Sequence, residues 1–204
     1  MTTLSRFYQQ VREARPMEPI MLDDPIPLDE LQTPALIIDL DVFDANLAKM
    51  QSYLEEQDIA LRAHTKMHKC PLIARKQVES GARGVCAAKI SEAEVMGAAG
   101  IEDVLVTSPI ATPDKVSRFV EARKNNPGLK IVVDCADSAD LLAKVAGLEG
   151  LVVDVFVDMD LGMGRTGIET GDKTLQLVRH IGESNSLNLS GLQMYAGNCM
   201  HIEG

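Results

Sequence analysis

From Ala35 onward the chain sets short apolar, β-rich runs against longer stretches whose apolar residues recur every three or four positions. The short runs are "ALIID" (35–39), "LRAHTK" (61–66), "RGVCAA" (83–88), "DVLVTS" (103–108), "KIVVDC" (130–135), "LVVDVFVDMD" (151–160) and "LNLSGLQMY" (187–195). Every run but the last is followed by a helical stretch: 41–57, 71–81, 91–100, 112–124, 138–147 and 171–183. In the first of these, Val42, Leu47 and Met50 are expected on one face. Pro71 stands where a first helical turn tolerates proline, and Gly81 supplies a stop. Strand followed by helix, repeated, predicts right-handed βαβ units and a parallel sheet. Residues 1–34 read differently. They hold five of the nine prolines, Pro16, Pro19, Pro25, Pro27 and Pro34, which remove backbone donors and block helix, so this segment is expected to be an arm or linker led by a short helix over 3–14.

The sheet could be an open doubly wound one or a barrel. "GMGRTG", Gly162 to Gly167, has the spacing of a dinucleotide fingerprint, follows a strand and opens onto a helix. That fingerprint belongs to the first βα turn of its fold, however, and this one follows the sixth barrel-type or leading run; the acidic residue wanted about twenty positions on is also missing, since the next strand ends in "LQMY". A glycine-rich βα loop at the C-terminal rim of a TIM-type barrel is the plainer reading, and that rim is where such barrels keep their chemistry.

Composition narrows the function classes. A chain of 204 residues with 46% hydrophobic content can bury a core as one domain or as a large part of a bigger one. A formal net charge of −10 without a Lys/Arg run argues against a surface for nucleic acid or anionic lipid, while leaving room for a local phosphate. Cys70, Cys86, Cys135 and Cys199 form no CxxC pair, so reduced thiols are expected rather than a disulfide framework or structural zinc. No apolar run reaches membrane-spanning length, and "MTTLSRFYQQVREARP" lacks a signal peptide's hydrophobic stretch; a soluble, cytoplasmic protein is expected.

The densest chemistry lies in "LRAHTKMHKC", residues 61–70. As a strand, 61–66 puts Arg62, His64 and Lys66 on one face at its C-terminal end. As a helix, it would set His64 and His68 at i and i+4 beside Cys70, but without the carboxylate ligand or base of metallohydrolase motifs, and Pro71 suggests that helix begins only there. A metal cluster, a solvated basic patch and a reactive lysine are all open. The residues favour the lysine, because neighbouring cations and desolvation are the usual means of making a lysine nucleophilic, and Lys66 beside Arg62 fits that recipe. Tyr195 and Gln193 share a strand face, and Arg165 belongs to a βα loop on the rim of Lys66; Tyr195 as core, or Arg165 paired with Asp158 or Asp160, stays open beside the functional reading. His180, on a helix, is expected to be merely exposed.

The string R-x-H-x-K-x-H-K from Arg62, together with "VCAAKISEAE" (85–94), "DMDLGMGRTG" (158–167) and "GLQMYAGN…H" (191–201), resembles the D-threonine aldolase / D-serine dehydratase-like family of fold-type III pyridoxal-phosphate enzymes, related to alanine racemase. The resemblance runs from about Thr33 to the last residue. It implies an α/β fold, the (β/α)8 barrel of the alanine racemase N-terminal type. It implies pyridoxal 5'-phosphate carried as a Schiff base on Lys66, a cofactor-binding set of Lys66, Arg62, His64, Arg165 and Tyr195, and a substrate-facing set of Gln193, Tyr195 and His201, with His201 catalytic beside Lys66. The implied activity is that of a lyase on small D-β-hydroxy-amino acids, of D-threonine aldolase or D-serine dehydratase type, homo-oligomeric (a dimer) in full-length form, with no nucleic-acid or membrane partner. Six barrel-type strands lie between Leu61 and Tyr195. Residues 1–34 are therefore expected to be an arm and 35–204 a partial pyridoxal-phosphate barrel, lacking strands seven and eight, the phosphate-binding glycine loop and the C-terminal β domain with its metal ligands. No metal residue is assigned; a divalent metal of Mn or Zn type is expected only in the full-length family. A non-catalytic pyridoxal-phosphate homeostasis-like protein and an inactive fragment are the other readings.

Overall fold

A computed structural model describes residues 26–202, with the backbone alone at His201. The helix expected over 3–14, and Pro16, Pro19 and Pro25, lie outside the described residues. The backbone divides into two units between Ala48 and Lys49. The first carries a 3-10 turn, Leu28–Glu30, an extended stretch, and the opening turns of helix α1 (Leu40–Glu56). Here two expectations are corrected. "ALIID" joins no strand among the described residues, and Leu36 and Ile37 are exposed; β propensity expresses a fit to a paired, half-buried surface, and here no strand pairs with it. Asp39 starts the helix by accepting the Val42 N–H at 3.0 Å. The sheltered line along α1 is then Phe43, Leu47 and Leu54, whereas Val42 and Met50 are exposed.

The second unit is the repeated strand–helix pattern made solid. Strands β1 (Arg62–His64), β2 (Gly84–Ala87), β3 (Val104–Val106), β4 (Leu129–Val133), β5 (Val153–Asp160) and β7 (Leu187–Tyr195) lie side by side in that order, all parallel. A two-residue strand, β6 (Ile168–Glu169), pairs with the end of β5. Helices α2 (Pro71–Glu79), α3 (Ile90–Ala98), α4 (Pro113–Asn125), α5 (Ala136–Leu148) and α6 (Asp172–Gly182) fill the crossovers. Six full strands alternating with helices make an incomplete (β/α) barrel.

Helix α4 shows how the sequence builds one layer. Pro113 opens it at a position that needs no N–H, Val116, Phe119 and Val120 recur at helical spacing and are buried, and Arg123 and Lys124 sit at the C-terminal turn where the helix dipole favours cations. Those apolar side chains share one core with Val85, Val104, Ile131, Val153, Val155 and Val157, all fully buried. Because successive strand residues point to opposite faces, burying Val153, Val155 and Val157 under the helices turns Asp154, Phe156, Asp158 and Asp160 to the other, inner face.

At the N-terminal rim, Asp103 gathers three cations. Arg62 reaches it bidentately, Nε to Oδ1 at 3.0 Å and Nη2 to Oδ2 at 2.6 Å, Lys130 Nζ lies at 3.0 Å and Arg83 Nε at 3.8 Å. Burial opposes ionisation of Asp103, but the hydrogen bonds and charges of Arg62 and Lys130 outweigh it and hold the carboxyl below its usual range. A depressed carboxylate stabilises the fold above the unfolded-state pKa, about 3.9, and that contribution disappears as pH falls through the lower folded value. Asp103→Asn should therefore cost about 1–2 kcal/mol near neutral pH. In urea titrations from pH 6 to pH 2 the gap between variant and wild type should narrow only on the acid side.

Candidate active site

Strand β1 stops after three residues. Thr65 is fully buried, its hydroxyl donates to the Cys86 carbonyl at 3.0 Å, and its own carbonyl accepts N–H groups from His68 and Lys69, at 3.2 and 2.7 Å, so the chain leaves the sheet in a 3-10 turn, Thr65–Met67. Lys66 is thus presented by that turn, exposed at the C-terminal end of β1, rather than by strand alternation. Arg62 and His64 do share the inner face, but Arg62 is committed to Asp103 at the opposite rim and is not brought to Lys66. Lys69 takes a left-handed turn, φ +52°, and lies 3.7 Å from Glu92, apart from the Lys66 group.

The cation that the fold does bring near Lys66 comes from the glycine-rich loop. Asp160, the last residue of β5, accepts the backbone N–H groups of Gly162 (3.0 Å), Met163 (2.8 Å) and Gly164 (3.1 Å), curling the loop around one carboxylate. Gly167 closes the loop at φ +104° and leads into β6, and helix α6 begins only at Asp172. The loop therefore does not open directly onto a helix, which removes the geometry of a dinucleotide fingerprint. With Asp160 occupied by backbone and Asp158 by Thr166 and Gln193, neither carboxylate pairs with Arg165. The Arg165 guanidinium instead lies 5.0 Å from the centre of the Tyr195 ring, and Lys66 Nζ lies 5.8 Å from the same centre. Tyr195 is 43% exposed, so it is no core residue. Among the described residues neither Lys66 nor Arg165 has a carboxylate within ion-pair distance.

One layer deeper, His64, Thr107, Asp158 and Gln193 form a polar floor. His64 Nδ1 accepts the Lys66 N–H at 3.3 Å, and its Nε2 lies 3.3 Å from the Thr107 hydroxyl. Gln193 donates to the Thr107 carbonyl at 3.1 Å and to Asp158 at 2.7 Å. Burial and the neighbouring Lys66 charge lower the His64 pKa, which favours the neutral imidazole. Cys86 lies on the same inner face as His64, its partner in register, and burial pushes its thiol up to about 11, leaving it protonated and non-nucleophilic. Sequence reading singled out Gln193, His64 and Tyr195 but not Thr107, nor Asp158 as part of the floor; the alternation of "DVLVTS" and "DVFVDMD" held the signal. His201 closes the 3-10 turn Gly197–His201 in backbone, and its side chain is outside the described residues.

Among the described residues no three His, Cys, Asp or Glu side chains gather as a metal-binding group. His68 Nδ1 accepts the Cys70 N–H, and among the described residues His68 and His64 belong to no such group. His180 is not merely exposed: its Nε2 lies 2.6 Å from Asp140, tying α6 to α5. No helix of the described residues is long and apolar enough to cross a membrane.

A parallel β/α sheet that presents a lysine at the end of its first strand and an arginine from the loop after its fifth defines a class, and the sequence comparison agrees with it. The chain belongs to the alanine racemase N-terminal domain family, whose profile matches residues 38–201. It is 38% identical over 178 residues to D-threonine aldolase of Arthrobacter sp., covering 86% of this chain and 46% of that one. It is 31% identical over 176 residues to D-threo-3-hydroxyaspartate dehydratase of Delftia sp. strain HT23, covering 85% and 46%. Among solved structures, D-threonine aldolase from Filomicrobium marinum superposes with a TM-score of 0.84 at 36% identity, covering 87% of this chain and 48% of that one. The chain spans about half the length of the curated relatives it matches. Members of the family are pyridoxal-phosphate enzymes, and these relatives, aldolase and dehydratase, are lyases.

Proposed function

We propose that this chain holds pyridoxal 5'-phosphate on Lys66 and forms the cofactor side of a lyase site for D-β-hydroxy-amino acids, of D-threonine aldolase or D-serine dehydratase type. The observation that carries this is the convergence of Lys66 and Arg165, both without carboxylate partners among the described residues, on the ring of Tyr195 above the polar floor. The residues fit the group: an accessible amine for its aldehyde, a guanidinium for the oxygen substituent of its ring, and an aromatic face between them. When bound, the cofactor draws electrons away from the amino-acid carbon attached to nitrogen, so that a bond at that carbon can break.

The chain's own residues supply attachment and orientation. Lys66 would hold the cofactor through Nζ, which has no ion pair to break among the described residues. His64 fixes the turn that carries it, by holding the Lys66 backbone N–H. Arg165 would hold the cofactor ring from a loop whose shape Asp160 dictates. Tyr195 would face the substrate side, and His201 would be the catalytic, substrate-facing partner that the resemblance implies. Fold and cofactor demand nothing that separates aldolase from dehydratase.

The test is product analysis with pyridoxal phosphate and divalent metal added. Glycine and acetaldehyde from D-threonine support an aldolase; pyruvate and ammonia from D-serine support a dehydratase. A lysine-bound cofactor with neither product assigns the non-catalytic pyridoxal-phosphate-binding reading instead. Arg165→Ala should separate site from fold. Its side chain is exposed and has no ion pair among the described residues, only the exposed Tyr195 ring beside it, so the substitution should cost under about 0.5 kcal/mol of stability. Affinity for pyridoxal phosphate should nevertheless fall at least tenfold. A collapsed melting temperature with unchanged affinity would show that Arg165 serves the fold.

A further inference from the structure

The polar floor fixes more than the position of Gln193; it fixes which end of its amide faces the site. A glutamine amide has two hydrogens on nitrogen and an oxygen that only accepts. Gln193 Nε2 donates to the Thr107 carbonyl at 3.1 Å and to Asp158 Oδ1 at 2.7 Å, and a carbonyl and a carboxylate cannot donate in return. Both hydrogens are consumed, and the orientation follows from the chemistry of the two partners. Oε1 has no donor among the described residues, although Gln193 is half-buried. Asp158 is 2% exposed and accepts the Thr166 hydroxyl at 3.0 Å through its other oxygen, so the carboxylate that orients Gln193 also ties it to the loop bearing Arg165. On the other side, His64 Nδ1 accepts the Lys66 N–H, which places the imidazole proton on Nε2, facing the Thr107 hydroxyl; that hydroxyl in turn donates to the Ala87 carbonyl at 3.2 Å.

We propose that Asp158 is a positioning residue that holds Gln193 as a pure acceptor, so that the Lys66 site selects a ligand group donating a hydrogen bond at that point. This rests on the pyridoxal-phosphate reading of the site. A freely turning Gln193 would offer donor or acceptor alike; the locked one repels a carboxylate or carbonyl oxygen and receives a hydroxyl or a ring N–H. The donor belongs either to the β-hydroxyl of the amino acid or to the cofactor ring, and the chemistry at Gln193 is the same for both.

The test uses the cofactor-loaded protein with chelator present to suppress turnover. Spectral titration compares D-threonine with D-2-aminobutyrate, which keeps the carbon skeleton and lacks the hydroxyl, and a parallel titration gives the affinity for pyridoxal phosphate. If the donor is the hydroxyl, wild type should prefer D-threonine roughly tenfold. Gln193→Met should then erase the preference, and Asp158→Asn should reduce it at least threefold in protein that stays folded at the assay temperature. If the donor is the cofactor ring, both variants should weaken pyridoxal phosphate and leave the amino-acid ratio alone, which also supports the proposal. Unchanged affinities in both variants would overturn it. Should a variant fail to fold, NMR exchange of the Gln193 amide hydrogens in wild type decides: protection is expected, and exchange as fast as in free glutamine refutes the lock. A wild type that forms no adduct on Lys66 fails the cofactor reading, whereas the amide exchange still reports on Asp158 alone.

Discussion

Lys66→Ala should eliminate the visible absorbance band of bound pyridoxal phosphate while leaving the fold intact. Lys66 is exposed at the apex of a 3-10 turn, and the turn is held by Thr65, His64 and backbone hydrogen bonds that an alanine retains. Surface substitutions of this kind usually stay within about 0.5 kcal/mol. The covalent link has no substitute at the rim, because Lys69 is turned away toward Glu92 and Lys89 follows a different strand. Lys66→Arg should fail equally, since charge is kept and the nucleophilic amine is lost. A residual band of wild-type height in either variant would move the attachment point elsewhere.

The second large effect concerns the loop that carries Arg165. Gly167→Ala should cost about 3 kcal/mol or more, from two sources. Its φ of +104° is a conformation that L side chains rarely adopt, and a Cβ there would stand 2.5 Å from the Asp160 nitrogen and 2.6 Å from the Met159 carbonyl carbon. Both neighbours are backbone of β5, paired on either side, and cannot withdraw. Gly171 is the internal control: it has φ +93° but nothing within 4 Å of the added carbon, so Gly171→Ala should show the conformational strain alone, about 1–2 kcal/mol. Urea midpoints of the two variants measure the difference. Equal losses would mean that the close approach to β5 contributes nothing.

Much of this architecture was legible because its signals are local. Pro113, Val116, Phe119 and Val120 specify a helix and its buried face within eight residues. What escaped was set by partners distant in the chain. Arg62 looked like a neighbour for Lys66 from four residues away, but Asp103, forty-one residues on, claims it. "ALIID" has strand composition and no described strand to pair with. Lys66 continued the alternation of 61–66 on paper, whereas the strand ends two residues earlier, at His64, where the buried Thr65 hydroxyl bonds to Cys86. Asp158 and Asp160, two residues apart on one face, were read as alternative partners for Arg165; the fold gives one to the floor and the other to the loop backbone, which leaves Arg165 free for the rim.

The central claim is that Lys66 is the residue that holds the cofactor. Incubation with pyridoxal phosphate, reduction with borohydride and peptide mapping by mass spectrometry tests it most directly. A pyridoxyl group confined to Lys66, and lost in Lys66→Ala, is the predicted result; a modification centred on Lys69 or Lys89, or scattered over the surface lysines with Lys66 unmodified, would contradict it.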